Sequence, residues 1–180
     1  MLDRTRAVLV VVDFQDKVMP RDAAIVEQIL GNTIRFVEAA RKMGLPILVT
    51  EQNPEKLGTT TERLARVIED LPRVSKMEFS CLGNADFRAA LEKTGRRQLI
   101  LTGVEAHVCI LQTALEAIES GYEAFVVTDA VASLSPASAE AGFRRMAQNG
   151  VQLLTTQMAL FELLRAAGTD LFRELRDLLK

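Results

Sequence analysis

The sequence predicts an α/β fold in three layers, α/β/α, on a mostly parallel sheet of about six strands. Three observations predict it. Apolar, β-branched runs recur along the chain at the length of buried strands. Segments with helical apolar spacing stand between them. Asp13, Gly103 and Asp129 end three of those runs, which would aim their loops at one edge of the sheet. At 180 residues the chain is expected to form one domain, residues 1–180, with a substantial core.

Residues 7–12 are a continuous Ala-Val-Leu-Val-Val-Val run and read as a central strand. Residues 23–43 carry Ile25, Ile29, Ile34, Val37 and Ala40 at helical spacing, with Gly31-Asn32 as an expected interruption and Gly44 as a stop. Residues 46–50 form the second strand. Residues 51–61, with Asn53-Pro54 and Gly58, read as a surface loop. Leu64, Val67, Ile68 and Leu71 mark a helix that Pro72 ends, and residues 73–76 are a short extended piece. Asn84 is the expected N-cap of a helix over 85–93. Residues 98–101 are a buried strand and residues 110–118 a helix with a broad apolar face. A strand over 123–128, a helix over 137–148, a strand over 151–155 and a helix over 157–166 follow. Residues 171–179 form an amphipathic terminal helix.

The formal net charge is −2 and no long single-sign tract occurs, so nothing points to nucleic acid or a membrane surface. No apolar run reaches membrane-spanning length, and the chain enters its first strand without a signal-like region. Two cysteines, Cys81 and Cys109, make no disulfide framework. A cytoplasmic location with reduced thiols is the expectation.

Chemistry gathers around residues 99–111. Here a buried strand, a glycine and a short loop lead to Cys109 at the start of a helix. Unpaired amides and the helix dipole at such a start favour an anion, so a thiol there is expected to ionise more readily and act as a nucleophile. The competing reading is a small core residue. Asp13, at a strand end, suits either catalysis or capping of the next turn. Lys76, between apolar side chains, reads by itself as a surface lysine. Together the three make a nucleophile, an acid to take its proton and a cation to stabilise the resulting charge.

Other chemistries fit less well. His107 is the only histidine and lies two residues before Cys109, a spacing at which helical neighbours diverge. A catalytic zinc with several histidine ligands is therefore ruled out. Asp13-Phe14-Gln15-Asp16 lacks the second acid at the position an aspartyl phosphotransfer motif requires, and no glycine-rich phosphate loop follows a strand. Cys81 could resolve an oxidised Cys109, or be an ordinary buried thiol.

Val10 to Gln15, Ser75-Lys76-Met77-Glu78-Phe79-Ser80 and Gly103-Val104-Glu105-Ala106-His107-Val108-Cys109 together resemble the isochorismatase-like cysteine hydrolases, in order and spacing, over nearly the whole chain. Thr50-Glu51-Gln52-Asn53-Pro54 with Leu57-Gly58, and Gly103-Val104-Glu105-Ala106, look most like the isochorismatase-domain-containing hydrolases. The resemblance implies Asp13, Lys76 and Cys109 as the catalytic residues. It implies a cis peptide at Val104–Glu105 and an oxyanion hole from the backbone N–H groups of Glu105 and Cys109. Nicotinamidases of this family hold a metal with histidines that have no match here, so no metal and no cofactor is expected.

The expected function is hydrolysis of an amide-like C–N bond of a small molecule through a cysteine thioester. Phe14, Gln15 and Phe79 are candidate pocket residues by adjacency. The alternatives are a catalytically silent scaffold and a thiol redox sensor on the same fold. The resemblance also implies a homo-oligomer, dimer or tetramer. Phe161, Leu163, Leu164, Leu171, Phe172, Leu175, Leu178 and Leu179 could supply its contacts or pack on their own subunit.

Overall fold

Six parallel strands form one sheet in the order β3-β2-β1-β4-β5-β6. The computed structural model describes residues 1–179. The strands are β1 (Ala7–Val12), β2 (Ile47–Gln52), β3 (Arg73–Lys76), β4 (Gln98–Val104), β5 (Glu123–Ala132) and β6 (Gln152–Leu154). The helices are α1 (Ala23–Met43), α2 (Pro54–Leu57), α3 (Glu62–Val67), α4 (Ala85–Thr94), α5 (Leu111–Glu119), α6 (Pro136–Gln148), α7 (Thr156–Leu164) and α8 (Asp170–Leu175).

The period of two in β1 explains the layering. Leu9 and Val11 face an apolar cluster shared with α1, α3, α7 and α8. Val8, Val10 and Val12 face a second cluster shared with α4, α5 and α6. Both faces of the strand are covered, so every residue of β1 is buried and its sequence is apolar without alternation.

Strand order reverses at β1, which pairs with β2 on one side and β4 on the other. Connections diverge from such a point and leave a crevice beyond the carboxyl ends of the strands. The two central strands touch tightly there. Gly103, at φ 128°, pairs with Val12, and a Cβ on it would lie 2.0 Å from the Val12 carbonyl oxygen.

Several elements differ from the expectation. α1 runs unbroken through Gly31 and Asn32. Its buried face, including Ile29, Leu30, Phe36 and Val37, outweighs the cost of about 1 kcal/mol for one helical glycine. Asn32 also donates from Nδ2 to the Asp129 carbonyl at 2.7 Å. β5 does not stop at Thr128. Its pairing with β4 shifts between Leu101 and Gly103 and continues to Ala132. Asp129 therefore lies inside the strand, where its Oδ1 accepts from the N–H and Oγ1 of Thr156 and fixes the start of α7. The loop after β2 contains α2 and is tethered by buried polar side chains. Glu51 Oε1 accepts from Thr60 N at 2.8 Å and from Thr60 Oγ1 at 2.7 Å.

The C-terminal segment packs on its own subunit. Leu163, Leu164, Leu175 and Leu179 belong to the apolar cluster, and Leu171, Phe172 and Leu178 pack against it. Of the candidate contact residues, Phe161 stays largely exposed. Among the described residues no helix is long and apolar enough to cross a membrane.

Gly103→Ala is expected to cost at least about 3 kcal/mol, because it adds both a steric clash and a disfavoured φ. Gly44→Ala, at φ 69° in open space, is expected to cost only about 1–2 kcal/mol. Urea unfolding followed by circular dichroism checks the contrast; equal costs would show that the β1–β4 approach is not tight.

Candidate active site

Asp13 follows β1 directly and adopts φ 53°, a conformation that residues with a Cβ seldom take and that clusters at functional sites. Its carboxylate is buried and bonded on both oxygens. Oδ1 accepts from Thr50 Oγ1 at 2.7 Å, and Oδ2 accepts from Lys76 Nζ at 2.6 Å. Thr50 is the β2 partner of Val12, so the strand register itself delivers its hydroxyl to the residue after β1.

Lys76 closes β3 and is 2% exposed, against the surface lysine it resembles in isolation. Its Nζ donates to Asp13 Oδ2, to Gln52 Oε1 at 2.7 Å and to the Glu78 carbonyl at 3.1 Å, with the Phe79 carbonyl at 3.4 Å. Gln52 is its direct cross-strand partner, and Gln52 Nε2 donates onward to the Met77 carbonyl.

Cys109 lies in a π-helical turn, Ala106–Ile110, that joins β4 to α5. The Glu105 carbonyl accepts from both Val108 N and Ile110 N, which wraps the backbone around the cysteine. Insertions of this kind are frequent at functional sites. Lys76 Nζ stands 3.8 Å from Cys109 Sγ. The Val104–Glu105 peptide at the entrance to the turn is cis.

Burial, then the Asp13 charge, pushes the Cys109 thiol up to about 12, and the pull of Lys76 does not offset them. The expected easing of ionisation at a helix start is thus reversed: the resting residue is a thiol. Burial also pushes Cys81 up to about 11. For Lys76, burial favours the neutral amine, but Asp13 chiefly, then Cys81 and Cys109, outweigh it and raise the ammonium above its ordinary value.

Asp13 and Cys109 open onto a cavity of about 130 Å3 whose wall is Val18, Leu57, Phe79, Val104 and Val108, with Gln52 and Glu105 as its other polar members. A larger groove of about 470 Å3, between Pro20–Ile25 and Ser133–Pro136, contains none of the Asp13, Lys76 and Cys109 side chains. Convergent polar groups identify the smaller cavity as the candidate site.

Of the pocket candidates, Phe79 lines this cavity. Phe14 does not; it is buried in the apolar cluster beneath the α1 face of the sheet. Gln15 is also displaced from that role. Its carboxamide donates to the Gln52 and Gly58 carbonyls and accepts from Gln52 N, so it ties the loop after β2 to the loop after β1. His107 turns away, with Nδ1 2.9 Å from Ser133 Oγ. Sequence reasoning missed Thr50 and Gln52. Their signal was period-two spacing at the end of β2, visible once that strand is extended to Gln52. Among the described residues no group of three or more His, Cys, Asp or Glu side chains is placed to hold a metal ion.

The isochorismatase domain model matches residues 7–158. Isochorismatase domain-containing protein 2A of Mus musculus is 35% identical over 179 residues, covering 97% of this chain and 82% of its own. The structure of MAR1 ribonuclease from Caenorhabditis elegans matches with a TM-score of 0.88 at 32% identity, covering 99% of this chain and 91% of that one. The YcaC gene product of Escherichia coli, described as an octameric hydrolase of unknown specificity, matches with a TM-score of 0.86 at 29% identity, covering 99% and 94%. The chain belongs to the isochorismatase family and has the fold of its hydrolases.

Both thiols sit above their ordinary value of 9.0. Iodoacetamide is therefore expected to modify the resting protein slowly at pH 7, with a rate that climbs about tenfold per pH unit up to about pH 10. A rate that levels off near pH 7 would mean a standing thiolate. Folding stability is expected to fall as pH rises above 9, because the unfolded chain then releases thiol protons that the folded chain retains.

Proposed function

We propose that this isochorismatase-family chain, acting as one hydrolase domain, cleaves an amide-like C–N bond of a small molecule through a thioester on Cys109. The observation that carries the reading is the position of one buried ammonium. Lys76 Nζ stands 2.6 Å from Asp13 Oδ2 and 3.8 Å from Cys109 Sγ, behind the two residues of the trio that line the apolar cavity.

In the proposed mechanism the Cys109 proton passes to the Asp13 carboxylate as sulfur adds to the substrate carbonyl. Lys76 stabilises the sulfur charge as it forms. The backbone N–H groups of Glu105 and Cys109 hold the oxyanion. Asp13 returns its proton to the nitrogen, the C–N bond breaks and the amine leaves, with the acyl group on Cys109. Asp13 then takes a proton from water as the oxygen adds to the thioester carbon. The C–S bond breaks, and the proton goes back to sulfur. Overall one water is consumed, releasing one acid and one amine, and no bound cofactor is required. A resting thiol suits this sequence, because the ammonium that holds the proton-accepting Asp13 carboxylate also stands 3.8 Å from the sulfur, where charge develops only as the proton leaves.

The redox-sensor alternative has less support. Cys81 is fully buried, with its Sγ 3.9 Å from Thr50 Oγ1 and its N–H donated to Thr113 Oγ1. Self-association is also part of the reading, since the Escherichia coli YcaC neighbour is octameric; a dimer or tetramer in the cytoplasm, with thiols kept reduced, is the expectation carried forward.

Intact-protein mass spectrometry after mixing with a panel of small amides tests the mechanism. Wild type is expected to carry an acyl adduct that maps to Cys109. Cys109→Ala should fold, carry no adduct and lose activity by at least about 10⁴-fold. Asp13→Asn should lower kcat by about 10²–10⁴-fold. Turnover retained in Cys109→Ala would sink the covalent mechanism.

A further inference from the structure

The cavity is small, its wall is apolar, and the ion pair of Asp13 with the Lys76 behind it is closed on itself. A cavity of about 130 Å3 is slightly smaller than the roughly 150 Å3 that encloses one benzene ring, so it seats only about five non-hydrogen atoms. An aromatic ring with its carboxamide exceeds that. Val18, Leu57, Phe79, Val104 and Val108 offer the acyl group no hydrogen-bond donor from a side chain.

The charges are equally restrictive. An ammonium has three protons to donate. Those of Lys76 meet Asp13 Oδ2, Gln52 Oε1 and the Glu78 carbonyl, all within 3.1 Å. None remains for a carboxylate on the substrate. Among the described residues no arginine or histidine lines the cavity, whereas the acids Asp13 and Glu105 do. Lys17, on the turn that carries Val18, is held outside by the Lys56 carbonyl at 2.6 Å. The Glu105 carboxylate is engaged by the Leu134 N–H at 2.9 Å, so a substrate carboxylate would lose its water beside the Asp13 carboxylate with no free cation to replace it.

We infer that the site takes a short, uncharged, aliphatic acyl group of two or three carbons, with propionamide as its model, and rejects carboxylate-bearing substrates, isochorismate included. This rests on the thioester reading and narrows it. The family name and the residues of this cavity disagree on substrate charge, and the cavity is the physical constraint.

The test compares kcat/KM for propionamide, benzamide and succinamate (the monoamide of succinic acid) by ammonia release, with acylation of Cys109 followed by intact mass. Propionamide is expected to exceed succinamate by at least about 100-fold, and benzamide by a similar factor. Phe79→Arg places a cation on the exposed rim, where the fold should tolerate it, and is expected to narrow the propionamide-to-succinamate ratio at least about tenfold. Succinamate or benzamide matching propionamide while Cys109 is acylated would overturn this inference and leave the thioester mechanism standing. Ammonia release that persists in Cys109→Ala would overturn both. No turnover of propionamide overturns the inference, whatever the other amides do, and an unchanged ratio in Phe79→Arg overturns its charge argument.

Discussion

The buried ion pair between Lys76 and Asp13 is the constraint on which the rest of the site depends. Removing either charge from water costs several kcal/mol, and attraction between them repays it only when the remaining donors and acceptors are also satisfied. Here they are. Thr50 occupies the second carboxylate oxygen, while Gln52 and the Glu78 carbonyl take the other ammonium protons. Those partners come from β2 and from the loop after β3. One pair thus fastens the carboxyl ends of β1, β2 and β3 to one another and specifies their relative positions, more than it adds to stability.

Cys109 arrives from the other side of the switch point, on the turn after β4, and meets the same ammonium. The trio carries one negative carboxylate, one positive ammonium and a neutral thiol at rest. In the proposed mechanism, proton transfer from sulfur to Asp13 leaves it with a neutral acid, a positive ammonium and a negative thiolate. The net charge of the buried cluster does not change. The attraction that Lys76 gave to Asp13 is redirected to sulfur, without any charge having to enter or leave a low-dielectric region. A thiol pushed up to about 12 is compatible with nucleophilic work on those terms.

The fold was legible because β1 is apolar at every position and the later strands alternate with helical spacing at short intervals. Both are direct consequences of a sheet covered on two faces. Asp13, Lys76 and Cys109 were legible as chemistry-bearing residues at strand ends and through the family resemblance, but their convergence was not. It depends on strand order, and order is set by which crossover goes left or right of β1. Gln15 shows where adjacency misleads. It follows the acid by two residues, yet its carboxamide is consumed by the backbone of Gln52 and Gly58. Thr50 and Gln52 were hidden for the opposite reason. They are ordinary polar residues at the end of a strand, and only the parallel register with β1 and β3 gives them their partners. The charge of Cys109 was misjudged because a helix start favours an anion only where water or a donor replaces its solvation; burial removed the first.

The site divides physically into a floor and a rim. The floor is made of strand ends, buried and cross-bonded, where the φ of Asp13, the approach of Gly103 to Val12 and the hydrogen bonds of Lys76 each restrict the others. Any change there disturbs several strands at once. The rim is made largely of loop residues, with Val18 after the first strand, Leu57 after the second and Phe79 after the third. Phe79 is more than half exposed and makes little structural demand on its neighbours. In the proposed mechanism, substrate choice can therefore change by substitution at the rim while the ion pair and Cys109 stay in place. In the proposed reading the strand ends set the chemistry at the carbonyl, and the small apolar cavity beside them sets which molecule can present it.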